Sequence, residues 1–294
     1  VFTSSMQALE AVMVLHSKPG DGVVLFSPIY MPFRTAIEQA GRRVIDVQLE
    51  APNWVFDGER FRDALDPKTR VVLFCQPHNP TGHIYTQEEI DDFAEVVEEH
   101  DLLVVSDEIW ADLTFSGSRH LSLSSSNEKL RDRTVTIGSA SKAFNLAGAR
   151  CCVAHIGPAE MRSELQKYPD HYFGIPSSFG SAVTVAAWTA GKPWLQKAKE
   201  QIEWNRDYIH RRIIEESSGL SMRLPEATYL AWMDFSDTAL SDNPSKELLD
   251  RARIALEPGE KFGDQCGSFA RMNFATSMDI VETLVDRIFE TLNS

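Results

Sequence analysis

Three polar clusters follow three apolar runs of the sequence, and they hold the residues best suited to chemistry. Two amides lie in Gln-Pro-His-Asn-Pro-Thr-Gly at 76–82, two carboxylates lie in Ser-Asp-Glu-Ile-Trp at 106–110, and an amine lies in Gly-Ser-Ala-Ser-Lys at 138–142. Each cluster taken alone has an ordinary explanation as a turn. In an open parallel sheet, however, ligands bind outside the carboxyl ends of the strands. Three clusters at three strand ends therefore predict one shared site.

The elements that must position these clusters alternate between short apolar runs and helical patterns. Thr86 followed by Glu89 is a capping box that begins one of the helices. The predicted strands of this part are 22–26, 43–47, 70–75, 102–105, 134–137 and 152–156. Runs that are apolar on both faces and separated by helices indicate a mainly parallel sheet covered by helices on both faces. The first fold prediction is therefore an α/β domain.

The pattern changes after Pro176. The elements predicted there are helices at 177–190, 194–216, 245–256 and 279–292 and strands at 228–233 and 269–274. This order is typical of an α+β layout. We therefore expect a large domain of residues 1–192 and a smaller α+β C-terminal domain of residues 193–294.

Composition narrows the class of protein. The chain has 294 residues and a net charge of −14, which disfavours nucleic-acid binding. Its apolar runs are too short to span a bilayer, and its first residues do not resemble a signal peptide. The four cysteines form no Cys-x-x-Cys pair, so reduced thiols in a cytoplasmic protein are expected.

There is no dinucleotide-binding glycine fingerprint, Walker A sequence, His-Glu-x-x-His zinc motif or Gly-x-Ser-x-Gly elbow, and no metal site is predicted.

In combination, the motifs resemble the class I and II aminotransferase family, whose members are fold-type I enzymes that use pyridoxal 5′-phosphate (PLP). The resemblance is carried by Ser-Ala-Ser-Lys at 139–142 with Arg150 eight residues later, by Asn-Pro-Thr-Gly at 79–82 and by Asp-Glu-Ile-Trp at 107–110. It extends over essentially the whole chain. The most similar subgroup is that of the C–S lyases of the cystathionine β-lyase (MalY/PatB) type. Tryptophan at the end of the 107–110 motif and the segments 228–234 and 269–273 favour this subgroup.

The resemblance implies roles around the cofactor ring. Lys142 would bond to the PLP aldehyde and then move protons, which needs an amine of lowered pKa. Asp107 would face the pyridine nitrogen and keep it protonated, so that the ring can accept electrons. Asn79 would donate a hydrogen bond to the ring 3′-oxygen. Tyr30 would stack on the ring face, although a core tyrosine is an equally open interpretation, and Trp110 stands where many transaminases have a tyrosine that hydrogen-bonds the 3′-oxygen.

The resemblance also implies a cradle for the cofactor phosphate. Ser5 and Met6 lie where the first helix begins, and a helix N-terminus offers free N–H groups and a favourable dipole. Met6 could contribute only its backbone. Ser139 and Ser141 would supply hydroxyl groups, and Arg150 would supply a bidentate guanidinium.

Arg271 is the candidate that would bind the substrate α-carboxylate, with Tyr30 and Asn79 beside it. An unpaired charge within a strand is costly, and an anionic ligand would remove that cost. The alternative is a structural ion pair, and the resemblance favours the substrate role. The residues left open as a second acid or base are Tyr30, Tyr85, Tyr172 and Tyr229.

The resemblance implies PLP-dependent cleavage of cystathionine or a related S-substituted cysteine to a thiol, pyruvate and ammonia. An aminotransferase of an aromatic or neutral amino acid shares every cofactor residue and stays open. A further alternative is a PLP-binding regulator that acts through a protein partner. Besides the small amino-acid substrate, a homodimer is expected, although family members carry a further N-terminal segment before the position of Val1, so complete activity and dimerisation of this chain are open questions.

Overall fold

The computed structural model describes residues 1–169, 171–216 and 218–294. The larger of its two sheets consists of β1 Gly22–Ser27, β2 Arg43–Gln48, β3 Thr69–Cys75, β4 Leu103–Asp107, β5 Thr134–Gly138 and β6 Val153–Ile156. The strand order is β2–β1–β3–β4–β5–β6, and the neighbouring strands are parallel except for β5 with β6. The mainly parallel sheet predicted from the apolar runs is confirmed.

Helices cover both faces of this sheet. The helices of the described ranges are α1 Ser5–His16, α2 Met31–Gln39, α3 Gly58–Ala64, α4 Gln87–Glu99, α5 Leu123–Ser126, α6 Glu128–Arg131, α7 Ala159–Leu165, α8 Ser178–Ala190, α9 Lys192–Glu216, α10 Pro244–Glu247 and α11 Met278–Leu292. Alternate residues of the central strands enter opposite cores: Phe74 packs with the α4 face, whereas Leu73 packs with the α1 and α2 face. The strands are therefore apolar on both sides because both sides are buried.

The smaller sheet has the order β7–β8–β10–β9 and is antiparallel. Its strands are β7 Ser221–Met222, β8 Leu230–Asp234, β9 Glu257–Pro258 and β10 Phe269–Asn273. It shares a core with α9 and α11. The division into domains of residues 1–192 and 193–294 stays a prediction.

Local signals explain several of the element bounds, and two of the differences from expectation have an evident local cause. The capping box of Thr86 and Glu89 is present at the start of α4. The predicted strand at 228–233 begins later, at Leu230, since Thr228 has a left-handed backbone with φ of 73°. The predicted helix at 245–256 is wrong in its length: α10 continues as a π-helical turn over 248–252 and stops where Arg253 takes a left-handed conformation.

Other global properties bear on the function. None of the helices in the described ranges is long and apolar enough to cross a bilayer. All four cysteines are buried free thiols. Within those ranges, no three His, Cys, Asp or Glu side chains are grouped in a way that could hold a metal ion.

Candidate active site

A cavity of about 420 Å³ lies at the carboxyl ends of β3, β4 and β5, where it is also bordered by the smaller sheet. Asp107 ends β4 and pairs in register with Cys75 of β3 and Ile137 of β5. The three polar clusters therefore meet because parallel neighbouring strands end at the same edge. The sequence-predicted site residues that line the cavity are Ser5, Met6, Tyr30, Asn79, Asp107, Trp110, Ser139, Ser141, Lys142, Arg150 and Arg271.

Asp107 is a buried carboxylate that receives little hydrogen bonding to offset the cost of its burial. Its side chain is 1% exposed, and its hydrogen-bond donor in the described chain is the backbone N–H of Ile109 at 3.1 Å. Burial raises the pKa of Asp107 to about 7, although the Ile109 bond and the charge of Lys142 act in the opposite direction. Such a group binds a cationic N–H donor strongly because a buried charge without a partner is costly.

Lys142 presents its amine to the same cavity. Its Nζ lies 5.4 Å from the ring centroid of Trp110, and it makes no ion pair with the residues that the structure describes. Burial lowers the pKa of Lys142; the carboxylate of Asp107 counteracts this effect, and the guanidinium of Arg271 adds to it. An amine with a lowered pKa can act as a nucleophile and as a base near neutral pH.

Asn79 and Arg271 form a direct link between the two sheets' ends. Arg271 Nη1 donates to Asn79 Oδ1 at 2.8 Å. A guanidinium can only donate, so the amide oxygen must face it and the Asn79 amino group is left to donate elsewhere. The guanidinium also lies 4.8 Å from the ring centroid of Phe262. The geometry thus leaves Asn79 with the free donor that a ring oxygen would need.

The surroundings of Arg271 bear on the choice between an ion pair and a ligand site. Burial lowers the pKa of Arg271, while the charge of Glu257 on the neighbouring strand raises it. Within the described ranges, no carboxylate lies within 4 Å of this guanidinium, as it would in a structural ion pair. A cation in this position is available to an incoming carboxylate.

The cradle expected for phosphate has three parts. Helix α1 begins at Ser5, and Ser4 caps it by accepting the backbone N–H of Gln7 at 3.3 Å. Ser5 and Met6, in the first turn of this helix, border the cavity. Arg150 follows a short 3₁₀ turn, where its left-handed backbone (φ 51°) brings the exposed residue to the cavity wall.

Ser139 and Ser141 differ in what they can offer. The Ser139 hydroxyl donates to the carbonyl of Cys151 at 2.8 Å and accepts the backbone N–H of Ser141 at 3.1 Å. Its proton is therefore used within the protein, and its contact with a phosphate stays a prediction that requires the hydroxyl to turn. Ser141 is only half-buried and borders the cavity, so its hydroxyl is the better placed donor.

The aromatic residues fall into two groups. Trp110 is 3% exposed and packs edge-on against Tyr229, with ring centroids 4.7 Å apart, whereas Tyr30 is 37% exposed at the start of α2. Tyr229 lines the cavity, and burial raises its pKa. Of the four tyrosines left open, Tyr85 is buried in the core and Tyr172 lies in an aromatic cluster outside the cavity. Only Tyr30 and Tyr229 are therefore placed to assist.

Further residues line the cavity that sequence reasoning did not select: Thr3, Phe33, Cys75, Ile109, Cys151, Leu230 and Asn273. Asn273 lies two positions after Arg271 on β10, and alternate residues of a strand share a face. That spacing is the signal that could have found it. Ile109 lies within the Asp-Glu-Ile-Trp motif, and the other residues belong to no motif.

The donor set fits PLP. The cavity offers a buried acceptor without a cationic partner for a ring N–H, an amine of lowered pKa for an aldehyde, and a helix start with a guanidinium for a phosphate.

Comparison with known proteins agrees with this fit. The model of the family "Aminotransferase class I and II" matches residues 1–288. The chain belongs to this family. The resemblance seen in the motifs is thus confirmed, and the protein is a PLP-dependent enzyme of the class I and II aminotransferases.

Individual relatives of this family member have different activities. The chain is 31% identical to cystathionine β-lyase PatB of Bacillus subtilis, over 97% of this chain and 75% of that protein. It is 29% identical to aspartate aminotransferase of the same organism, over 98% of this chain and 74% of that protein. The crystal structure of cystalysin from Treponema denticola, which contains a PLP cofactor, superposes with a TM-score of 0.94 at 28% identity, covering 99% of this chain and 75% of that one. The fold and the cofactor expected from the motifs are confirmed, and the reaction is left between two classes.

Proposed function

We propose that the protein is a PLP-dependent C–S β-lyase that cleaves cystathionine or a related S-substituted cysteine to a thiol, pyruvate and ammonia. The observation that carries the proposal is the buried indole of Trp110 beside the Lys142 amine. An apolar indole at this position suits a thioether side chain and provides no hydroxyl group to hold the cofactor. The relatives that are named cystathionine β-lyase support the same choice.

The residues divide the proposed work among them. PLP, when bound, supplies an aldehyde that bonds to amines and a ring that accepts an electron pair. Asp107 would hold the ring nitrogen through a charged hydrogen bond, and the start of α1 with Ser141 and Arg150 would hold the phosphate. These contacts fix the cofactor before the substrate arrives, which reduces the entropy cost of the reaction.

The substrate would be held by a different group of residues. Arg271 would bind the α-carboxylate through its guanidinium fork, and its bond to Asn79 keeps that fork in place. Lys142 Nζ would then take the proton from the substrate α-carbon, a role that its lowered pKa favours at neutral pH. Trp110 and Tyr229 would cover the thioether and exclude water from the sulfur.

An aminotransferase is the second candidate, because the aspartate aminotransferase relative matches 98% of the chain. The cations among the described residues of the cavity wall are Lys142, Arg150 and Arg271. Once these are assigned to the cofactor aldehyde, the phosphate and the α-carboxylate, none is left for a side-chain carboxylate. If the protein is an aminotransferase, a neutral or aromatic amino acid is therefore a better substrate than aspartate.

The two candidates are separated by their products. The protein is incubated with PLP and L-cystathionine, and pyruvate is measured with a lactate dehydrogenase coupled assay while amino-group exchange is measured with 2-oxoglutarate. The lyase proposal expects pyruvate and free thiol in equal amounts, and Lys142→Ala is the inactive control. Strong amino-group exchange without pyruvate would refute it.

A further inference from the structure

We propose that His83 is a positioning residue for the substrate-carboxylate site, and that it acts through the turn of residues 78–83, which carries Asn79. The inference rests on the proposed role of Arg271 and adds a residue outside the cavity to it. His83 does not line the cavity, and it reaches the site only through its neighbours.

The imidazole of His83 joins three parts of the chain. Its Nδ1 lies 3.1 Å from Glu226 Oε2, in the segment that leads into β8, and its Nε2 lies 3.0 Å from Glu89 Oε1 on α4. The ring is 5% exposed and packs edge-on against Tyr85, with centroids 4.9 Å apart. With both nitrogens protonated, one ring can donate to both carboxylates at once.

The turn that carries this ring also carries the link to Arg271. It is closed by His78 N–H to the His83 carbonyl at 2.9 Å and by Gly82 N–H to the His78 carbonyl at 2.8 Å. Asn79 lies inside this turn and accepts a hydrogen bond from the guanidinium of Arg271. Any movement of the turn therefore moves the partner that orients the guanidinium.

The smaller sheet is fixed to the same turn. The backbone N–H groups of Glu226 and Ala227 both donate to the Gly82 carbonyl, at 3.0 and 3.2 Å. Strand β8 follows and pairs with β10, where Arg271 lies opposite Trp232. Arg271 is thus held by Asn79 of the turn and by the pairing of β10 with β8, and His83 contacts both the turn and the segment that leads into β8.

The charge of the His83 ring decides how strongly the ring binds Glu89 and Glu226. Among the described residues, Arg223 also faces His83: its Nη2 lies 3.1 Å from His83 Nδ1 and 2.9 Å from Glu226 Oε2. His78, in the same turn, is fully buried, and burial lowers its pKa to about 3, so it stays neutral. Burial lowers the pKa of His83, but the two carboxylates outweigh it and the net pKa is raised.

Loss of the ring proton changes the hydrogen bonds in a defined way. A neutral ring can keep Nε2–H for Glu89 and accept from Arg223 at Nδ1, but it then no longer donates to Glu226. The bond between two oppositely charged groups, which joins the turn to the segment before β8, is replaced by one in which only Arg223 is charged. The substrate-carboxylate site should therefore loosen as the pH rises through the pKa of His83.

The test measures binding of propionate, a carboxylate that cannot react, to the PLP-loaded enzyme by calorimetry. For His83→Gln we expect a dissociation constant about tenfold higher than for wild type at acid to neutral pH, with the difference shrinking as the pH rises. His83→Arg should keep tight binding at every pH because its charge is permanent. His155→Gln, which changes an exposed histidine on β6, is the matched control and should bind as wild type does.

A double-mutant cycle with Asn79→Ala tests whether His83 acts through Asn79. If His83 acts through Asn79, adding His83→Gln to Asn79→Ala should weaken propionate binding no further. Additive effects, or unchanged affinity in His83→Gln, would overturn the inference. If His83→Gln does not fold, the pH profiles of propionate binding by wild type and His83→Arg still test the inference. Identical profiles would contradict it. A negative pyruvate assay would refute the lyase and leave this inference standing, because propionate binding needs no turnover.

Discussion

Removing the buried charge at position 107 should stabilise the protein without its cofactor while it abolishes activity. The pKa of Asp107 rises from an ordinary 3.8 to about 7 because the carboxyl group is buried. A carboxyl whose folded pKa lies above its unfolded value binds its proton more tightly in the folded state, so its contribution to stability falls as the pH rises between those two values. Asp107→Asn removes that dependence.

The size of the effect follows from the two pKa values. One unit corresponds to about 1.4 kcal/mol, so the raised pKa of Asp107 lowers the unfolding free energy by about 2 kcal/mol at about pH 5 and by about 4 kcal/mol at about pH 8.5. The gap in unfolding free energy between Asp107→Asn and wild type should therefore grow by about 2 to 3 kcal/mol between these pH values. Any constant effect of the amide, such as an unpaired N–H, cancels in this comparison.

Urea unfolding of the two proteins after removal of PLP, followed by tryptophan fluorescence at both pH values, measures this gap. Addition of PLP should reverse the order, because the wild-type carboxylate then gains a cationic partner and the amide does not. A gap that is the same at both pH values would refute the reasoning, since it would mean that Asp107 has an ordinary pKa in the folded protein.

Three other substitutions have defined outcomes. Arg271→Lys should raise the propionate dissociation constant about 10- to 100-fold, because the ammonium group cannot form the bidentate contact; calorimetry measures it, and an unchanged affinity would contradict the assigned role. Gly82→Ala should lower the unfolding free energy by at least about 2 kcal/mol in urea melts, since its backbone has φ of +70° and a Cβ there would meet the Pro225 Cβ at 2.4 Å. The matched control is Gly117→Ala, at φ +83° with nothing within 4 Å of the added Cβ, and an equal loss in both would show that the contact has no cost. Trp110→Tyr should raise the ratio of amino-group exchange to pyruvate release severalfold in the two product assays, and an unchanged ratio would remove the indole from the argument for a lyase.

The sequence was sufficient for the large sheet and for the meeting of the three polar clusters at one edge of it. Strands buried on both faces have a clear apolar pattern, and their parallel order brings the residues after Cys75, Asp107 and Ile137 to one edge. The cofactor followed from motifs in combination rather than from any one of them.

Contacts between distant parts of the chain could not be predicted in the same way. Arg271 and Asn79 are 192 residues apart, and no local pattern indicates their bond. The same holds for His83, whose partner Glu226 lies 143 residues away. Ser139 illustrates a subtler limit, because its residue type suggests a phosphate ligand while its hydroxyl donates to Cys151.

Local competition explains the bounds that differed. The pattern over 245–256 predicts one helix, yet the left-handed conformation of Arg253 ends the helical segment early. Helix propensity did not indicate that the segment would end there, since an arginine rarely adopts φ of 59° unless tertiary contacts impose it. Such positions have to be read from the folded chain.

We propose that Lys142 would bond to the cofactor aldehyde while Asp107 would hold the ring nitrogen, and reduction of the PLP-loaded protein with borohydride tests this assignment most directly. Reduction makes the bond between lysine and cofactor permanent, and peptide mass spectrometry then locates it. We expect the added mass of the reduced cofactor on the peptide that contains Lys142, with none in Lys142→Ala. Modification of a different lysine, or of none, would contradict the account.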